Sequence, residues 1–420
     1  MIKPLKEFAN LNDNEALVVE ETLKQCEPYF KAVDKMTALN QIKILCAFQK
    51  EKVADFHLNG STGYGYGDTG REILEKVWAT IFLGEKALVR SNIASGTHAI
   101  ALALFGNLLP GDELLSISGM PYDTLQTIIG KENSIDGSLR ELNISHKFID
   151  LIDDDFDEKR ILENITDKTK MIAIQRSRGY SWRKSLSIAK MEYIIKKIKE
   201  KNPKLIVFVD NCYGEFVEDR EPLEIGADLI AGSLIKNPGG GLAPRGGYLV
   251  GKEEYVNRAA MRLMAPGIAD DIGSALDFNR PAFQGLFMAP LIVEQALKGA
   301  IFTSCYLEKL GYMVSPQYFD ERTDIIQAIV FNTPEKLRHF SEGIQKSSPL
   351  ESYVTPYDAL LPGYDDPVIM AGGTFIQGSS IELSIDGPMR TPYIGYIQGG
   401  LSFFHIVASV CRATKGMEGF

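Results

Sequence analysis

Residues 204–241 read KLIVFVDNCYGEFVEDREPLEIGADLIAGSLIKNPGGG. Two apolar runs, one ending on Asp210 and the other on Ser233, are each bounded by turn residues. Runs without polar alternation suit strands buried on both faces, as in a parallel sheet. Ligands of such a sheet sit beyond the carboxyl ends of its strands, so Asp210 and Lys236 are expected to face one crevice.

The pattern continues outward in both directions. REILEKVWATIFL reads as a helix, ALVRS as a strand, ASGTHAIALALFGNLL as a helix and DELLSIS as a strand, while MIAIQRS and GGYLVG supply further strands around helical SIAKMEYIIKKIKEKN. Strands alternating with amphipathic helices predict an α/β fold with helices on both faces of a mostly parallel sheet. Upstream, Leu23, Phe30, Val33, Leu39, Ile42 and Leu45 recur at helical intervals. Downstream the texture changes, from LIVEQALKGAIF through IIQAIVF and SIELSID to FFHIVASVCRATKG. The predicted organisation is an N-terminal helical arm (1–55), an α/β domain (56–290) and a smaller C-terminal α+β domain (291–420).

The chain has 420 residues, 45% of them hydrophobic, enough for two cores. Its net charge of -10 repels phosphate backbones and anionic membrane surfaces, so neither nucleic acid nor a membrane is an expected partner. The start lacks the apolar core and cleavage site of a signal peptide, which points to the cytoplasm. The five cysteines are scattered, without a C-x-x-C pair or a histidine at ligand spacing, so no metal site is expected.

A carboxylate that keeps a pyridine nitrogen protonated and a lysine that forms an imine are what pyridoxal 5'-phosphate needs from a protein. In isolation Asp210 and Lys236 would be an ordinary surface acid and base. The small residues of GSLIKNPGGG, however, leave room for a bulky cofactor, and Ser233 can offer its hydroxyl to a phosphate. Ser95, Gly96 and Thr97 open a helix, whose unpaired N–H groups make an anion cradle, although a plain N-cap reads the same way. Tyr122, just beyond the strand DELLSIS, could stack on a pyridine ring. Gly65 to Gly70 spell a literal G-x-G-x-x-G, but no strand precedes it. It reads as a loop whose Tyr64, Tyr66 and Arg71 project into a site.

With these pieces in chain order, the sequence resembles the cysteine/methionine-metabolism family of pyridoxal-phosphate enzymes, which includes the cystathionine and methionine lyases. YGYGDTGRE, SGTHAIA, IKNPGGGLAP and GYDDPVIMAGGTFIQGSSIELSIDGPMRTPYIGYIQGGL are similar to its aluminium-resistance branch. The resemblance implies a fold-type-I domain in which Ser95, Gly96, Thr97 and Ser233 hold the phosphate, Tyr122 stacks, Asp210 meets the ring nitrogen and Lys236 forms the imine. It also implies a homodimer or homotetramer in which Tyr66 and Arg71 reach a neighbouring subunit's phosphate. The implied activity is a carbon–sulfur lyase, with Lys236 as the Cα base and Tyr122 protonating the leaving group. An aminotransferase, aldolase or racemase on the same fold, and a non-catalytic stress-response module, remain alternatives. The arginine that the family uses for the substrate carboxylate is absent from SIELSIDG, where Glu382 stands. Arg390 is the substitute, with Tyr64 beside the substrate and Arg178 and Arg176 competing for the carboxylate or the phosphate.

Overall fold

A computed structural model describes residues 2–130 and 136–417. Helix α1 (Ile2–Ala9) leads into α2 (Asp13–Lys50), whose start is fixed by a capping box. The Asn12 side chain accepts from Glu15 N–H, and Glu15 accepts from Asn12 N–H. The loop that follows ends at α3 (Thr69–Phe82), with Asp68 accepting from the Arg71 N–H as its cap.

Seven strands form the first sheet: β1 (Lys86–Arg90), β2 (Glu113–Ser116), β3 (Ser145–Phe148), β4 (Thr169–Gln175), β5 (Ile206–Asp210), β6 (Leu229–Ser233) and β7 (Gly247–Gly251). Their order is β1-β7-β6-β5-β4-β2-β3. The pairings from β6 to β3 are parallel and those of β7 are antiparallel, so the sheet is mostly parallel with an antiparallel edge. Between the strands run α4 (Gly96–Asn107), α5 (Asp123–Ile129), α6 (Glu158–Asn164) and α7 (Ile188–Lys201). In β5, Val207 and Val209 join one core while Ile206 and Phe208 join the core on the opposite face. Burial on both sides explains why the run IVFV shows no polar alternation.

Beyond α8 (Glu253–Leu263) comes α9 (Asn279–Lys309), a helix of 31 residues. At 1.5 Å per residue it is about 46 Å long, enough to serve both halves of the molecule. Phe283, Leu286 and Val293 enter the first core, whereas Phe302, Tyr306 and Leu307 enter the second. The boundary expected at residue 290 therefore falls inside a continuous helix. Among the described residues α9 is the one helix long and apolar enough to cross a membrane, and here it is the shared core helix. The expected arm is likewise tied down along its length, with Leu5 of α1 in the second core, Cys26 of α2 packed on Ile301 and Cys305 of α9, and Ile44 and Ala47 in the first core.

The second sheet is antiparallel, built from β8 (Met313–Ser315), β9 (Gln327–Val330), β10 (Asp358–Ala359), β11 (Val368–Ala371), β12 (Ser384–Pro388) and β13 (Ile394–Gln398) in the order β10-β11-β12-β13-β9-β8. Helices α10 (Pro334–Lys346) and α11 (Phe403–Ala413) cover it. This is the α+β layout expected after the α/β region.

Candidate active site

The parallel register sets Gln175 of β4 beside Asp210 of β5, and Asp210 beside Ala231 of β6. Three strands thus end together, and the loops leaving them meet in a cavity of about 1170 Å³. Ser95, Gly96, Thr97, Tyr122, Asp210, Ser233 and Lys236 all border it. Every residue that the strand-end argument singled out is therefore brought to one place.

Gly96 opens α4 against the end of β6. A Cβ at this position would lie 3.0 Å from Ser233 Cβ and 3.6 Å from Cys212 Sγ, so only glycine leaves the space between them open. Ser95 caps the helix by accepting from the His98 N–H at 3.1 Å. The Thr97 hydroxyl meets the Tyr122 hydroxyl at 3.4 Å, and the Tyr122 N–H donates to Gln175 Oε1 at 3.1 Å. Gln175 thereby ties the loop after β2 to the end of β4.

Asp210 is buried and accepts from the Cys212 N–H at 3.2 Å. Burial raises its pKa, while Lys236 and Cys212 pull it back down. Burial alone would lower Lys236. The acidic groups around it, Cys212, Tyr213, Asp210 and Tyr122, outweigh that and hold the ammonium well above its ordinary value. Burial also raises Tyr122, with the Asp210 carboxylate adding to it.

Tyr213 was not expected from the sequence. Its backbone is left-handed, at φ 70°, a conformation that costs a non-glycine residue about 1–2 kcal/mol. Asn237 stabilises that turn, its Nδ2 donating to the carbonyls of Tyr213 and Glu215 at 3.0 Å each. The result is a Tyr213 ring whose centroid is 4.0 Å from the Lys236 ammonium. The residue after Lys236 thus locks the aromatic that faces it.

The arginines correct the sequence reading. Arg176 is fully buried on Glu218, Glu221 and Asn211 and does not border the cavity. Arg178 borders the cavity, but its guanidinium donates to Ser315 O at 2.8 Å and to Ser315 Oγ, joining the β4 loop to the end of β8. Its two terminal nitrogens hold these elements together, while Nε has no hydrogen-bond partner among the described residues. Arg71 turns inward and donates to the carbonyls of Gly65, Gly273 and Asp271, so it does not project into a site of its own chain. Tyr64 and Tyr66 are 70% and 72% exposed and do not border the cavity of their own chain. Arg390 does border it, half-exposed and paired with Asp366 at 3.0 Å.

Glu382, standing where an arginine was expected, accepts from the N–H groups of Phe375 and Ile376 at 2.8 and 2.9 Å. It fastens a loop. Arg183, which the sequence did not flag, borders the cavity and among the described residues meets backbone carbonyls alone, those of Lys184, Gln175 and Ser177. Burial brings its pKa down to about 10. Asp386 at the far wall is also new, because β12 and the β4 loop are remote in sequence and no local pattern announces their meeting.

The family model described as methionine gamma-lyase matches residues 15–418. The uncharacterized protein YnbB of Bacillus subtilis is 50% identical over 391 residues, 92% of each chain. Among solved structures, a carbon–sulfur lyase involved in aluminum resistance from Clostridium novyi is 46% identical with a TM-score of 0.94, covering 98% of this chain and 97% of that one. A Clostridium acetobutylicum protein, named as a candidate cystathionine beta-lyase involved in aluminum resistance, is 51% identical with a TM-score of 0.95, over 97% and 96% of the two chains. The pyridoxal-5'-phosphate dependent protein YhfS of Escherichia coli shares the fold alone, at 16% identity and a TM-score of 0.60 over 91% of this chain and 96% of that one.

Proposed function

Because the chain belongs to the methionine gamma-lyase family, we propose that it is a pyridoxal-phosphate-dependent carbon–sulfur lyase acting on a thioether amino acid. The observation that carries this reading is the shared cavity in which Asp210, Lys236 and the Gly96–Ser233 gap lie at neighbouring strand ends. The residues fit the cofactor. The α4 N-terminus, Thr97 and Ser233 would hold its phosphate, Tyr122 its ring face, Asp210 its ring nitrogen and Lys236 its aldehyde carbon.

When bound, the cofactor supplies an electron sink for the bonds at Cα. The chain supplies the rest. Asp210, buried at the end of β5, would keep a proton at the ring nitrogen. Lys236 takes the Cα proton as its amine, and Tyr122, oriented by Thr97 and Gln175, returns a proton to the departing sulfur. Arg183 and Arg390 border the cavity for the α-carboxylate. Arg183 is our first choice over Arg390, because its guanidinium meets no acidic side chain among the described residues whereas Arg390 is paired with Asp366.

We also propose that the active form is a homo-oligomer in the cytoplasm, with the exposed Tyr64 and Tyr66 completing a neighbour's site. Their rings stand 5.8 Å apart on a loop held from behind by Arg71. The lyase reading is tested by supplying thioether amino acids to the cofactor-loaded protein. Release of thiol together with ammonia and a keto acid is expected. Transfer of the amino group, or racemisation without thiol release, would contradict it.

A further inference from the structure

Asp386 lies on β12, in the wall that the second sheet contributes to the cavity. Its Oδ2 accepts from the Tyr180 hydroxyl and from Gln398 Nε2, each at 3.1 Å. Both donors are neutral and both use the same oxygen. Among the described residues Asp386 has no ion-pair partner and its Oδ1 accepts no hydrogen bond, and the residue borders the cavity. Burial raises its pKa and the Lys236 charge opposes that, so a half-buried carboxylate bordering a cavity with no ion pair among the described residues is placed to receive a cationic donor.

Tyr180, Tyr213 and Tyr364 all feel its charge. Tyr180 lies 5.9 Å from Tyr364, centroid to centroid, and both border the cavity. Tyr213 borders it too, and its ring already carries an ammonium group, that of Lys236. A carboxylate among ring faces is the chemistry that recognises an alkylammonium ion. Of the guanidinium groups that border the cavity, Arg178 is engaged with Ser315, Arg390 with Asp366, and Arg183 is assigned to the α-carboxylate, so a terminal carboxylate would have to compete for one of them.

We propose that Asp386 and the rings of Tyr180, Tyr213 and Tyr364 form a subsite for a terminal ammonium, and that the preferred substrate is a thioether amino acid whose side chain ends in a cation. The proposal rests on the lyase reading for the thioether, but the cation preference can be measured without any turnover. L-Lysine and L-2-aminoheptanoate share one chain length, differ in ammonium against methyl, and have no sulfur to lose. Calorimetric titration of the cofactor-loaded protein is expected to show lysine bound about tenfold more tightly or better. Asp386→Asn should erase that preference.

Equal affinities in the unaltered protein, or a preference that survives Asp386→Asn, would overturn the subsite, and the first comparison stands even where the variant does not fold. Turnover of S-(2-aminoethyl)-L-cysteine against S-propyl-L-cysteine then separates the two ideas. A lysine preference without thiol release from either thioether would sink the lyase reading and leave the subsite. Equal kcat/KM for the two thioethers, with equal ligand affinities, would sink the subsite and leave the lyase.

Discussion

The cavity has two walls of different origin. One is made by the ends of β4, β5 and β6 with the start of α4, where neighbouring strands in a parallel ladder set Gln175, Asp210 and Ala231 in register, with Ser233 two residues beyond at the end of β6. The other is made by β12 and its partner β13 closing on Tyr180 of the β4 loop, where the Tyr180 hydroxyl donates to Asp386 across 206 positions of sequence and the Tyr180 ring packs on Tyr396. The first wall is a property of the fold, because any parallel sheet presents its strand ends this way. The second depends on how the antiparallel sheet docks, and it is where substrate preference would be written.

The comparison breaks first at Lys236. Replacing it with alanine removes the base from the strand-end wall, and turnover of a thioether substrate is expected to fall on the order of 10³-fold or more. The circular dichroism spectrum should not change. A variant retaining a tenth of the rate would place the base elsewhere.

Arg176→Met comes next and acts on stability. It strands Glu218 and Glu221 without their buried guanidinium, at an expected cost of about 3–5 kcal/mol in urea unfolding. A change below about 1 kcal/mol would mean that the ion cluster is not what supports the strand ends. Gly96→Ala probes the same wall more gently. A methyl 3.0 Å from Ser233 Cβ should weaken pyridoxal phosphate binding by about tenfold, while leaving an inert pyridoxal analogue without phosphate unaffected.

A pH-dependent effect belongs beneath this wall. Glu215, buried and accepting from the Tyr248 hydroxyl at 2.7 Å, is pushed by burial to about 8 from an ordinary 4.5. Between these values the folded chain keeps the proton that the unfolded chain releases, so stability falls as pH rises through that window and levels off above it. Glu215→Gln removes this dependence. The variant should gain on the unaltered protein between about pH 5 and 8, and a difference in melting temperature that is flat with pH would contradict the assignment. The smallest effect is expected at the rim, where Arg390→Ala breaks a half-exposed pair with Asp366 and should cost less than about 1 kcal/mol in stability. A large rise in KM there would return the carboxylate to Arg390 instead of Arg183.

The same division explains what the sequence disclosed. Asp210, Lys236, Gly96 and Tyr122 each follow or precede a strand or helix that a short pattern reveals, and the sheet does the rest. The alternating helices and strands, including SIAKMEYIIKKIKEKN as α7 and FFHIVASVCRATKG as α11, were readable for the same reason. Arg176 and Arg178 sit at a strand end too, but side-chain direction decides their roles. One turns into an acid cluster and the other bridges to Ser315, and neither direction is encoded in local spacing. Arg71 differs because backbone carbonyls from a loop two hundred residues later claim its guanidinium. Asp386, Tyr180 and Tyr213 stayed hidden because their meeting is tertiary, and in Tyr213 it depends on a left-handed backbone that no propensity favours.

The central claim is that Lys236 carries the cofactor. Borohydride reduction of the protein loaded with pyridoxal 5'-phosphate, followed by peptide mass mapping, should place one phosphopyridoxyl group on the peptide containing Lys236 and abolish the visible absorbance band. A label on other lysines with Lys236 unmodified, or no band and no label at all, would contradict the account.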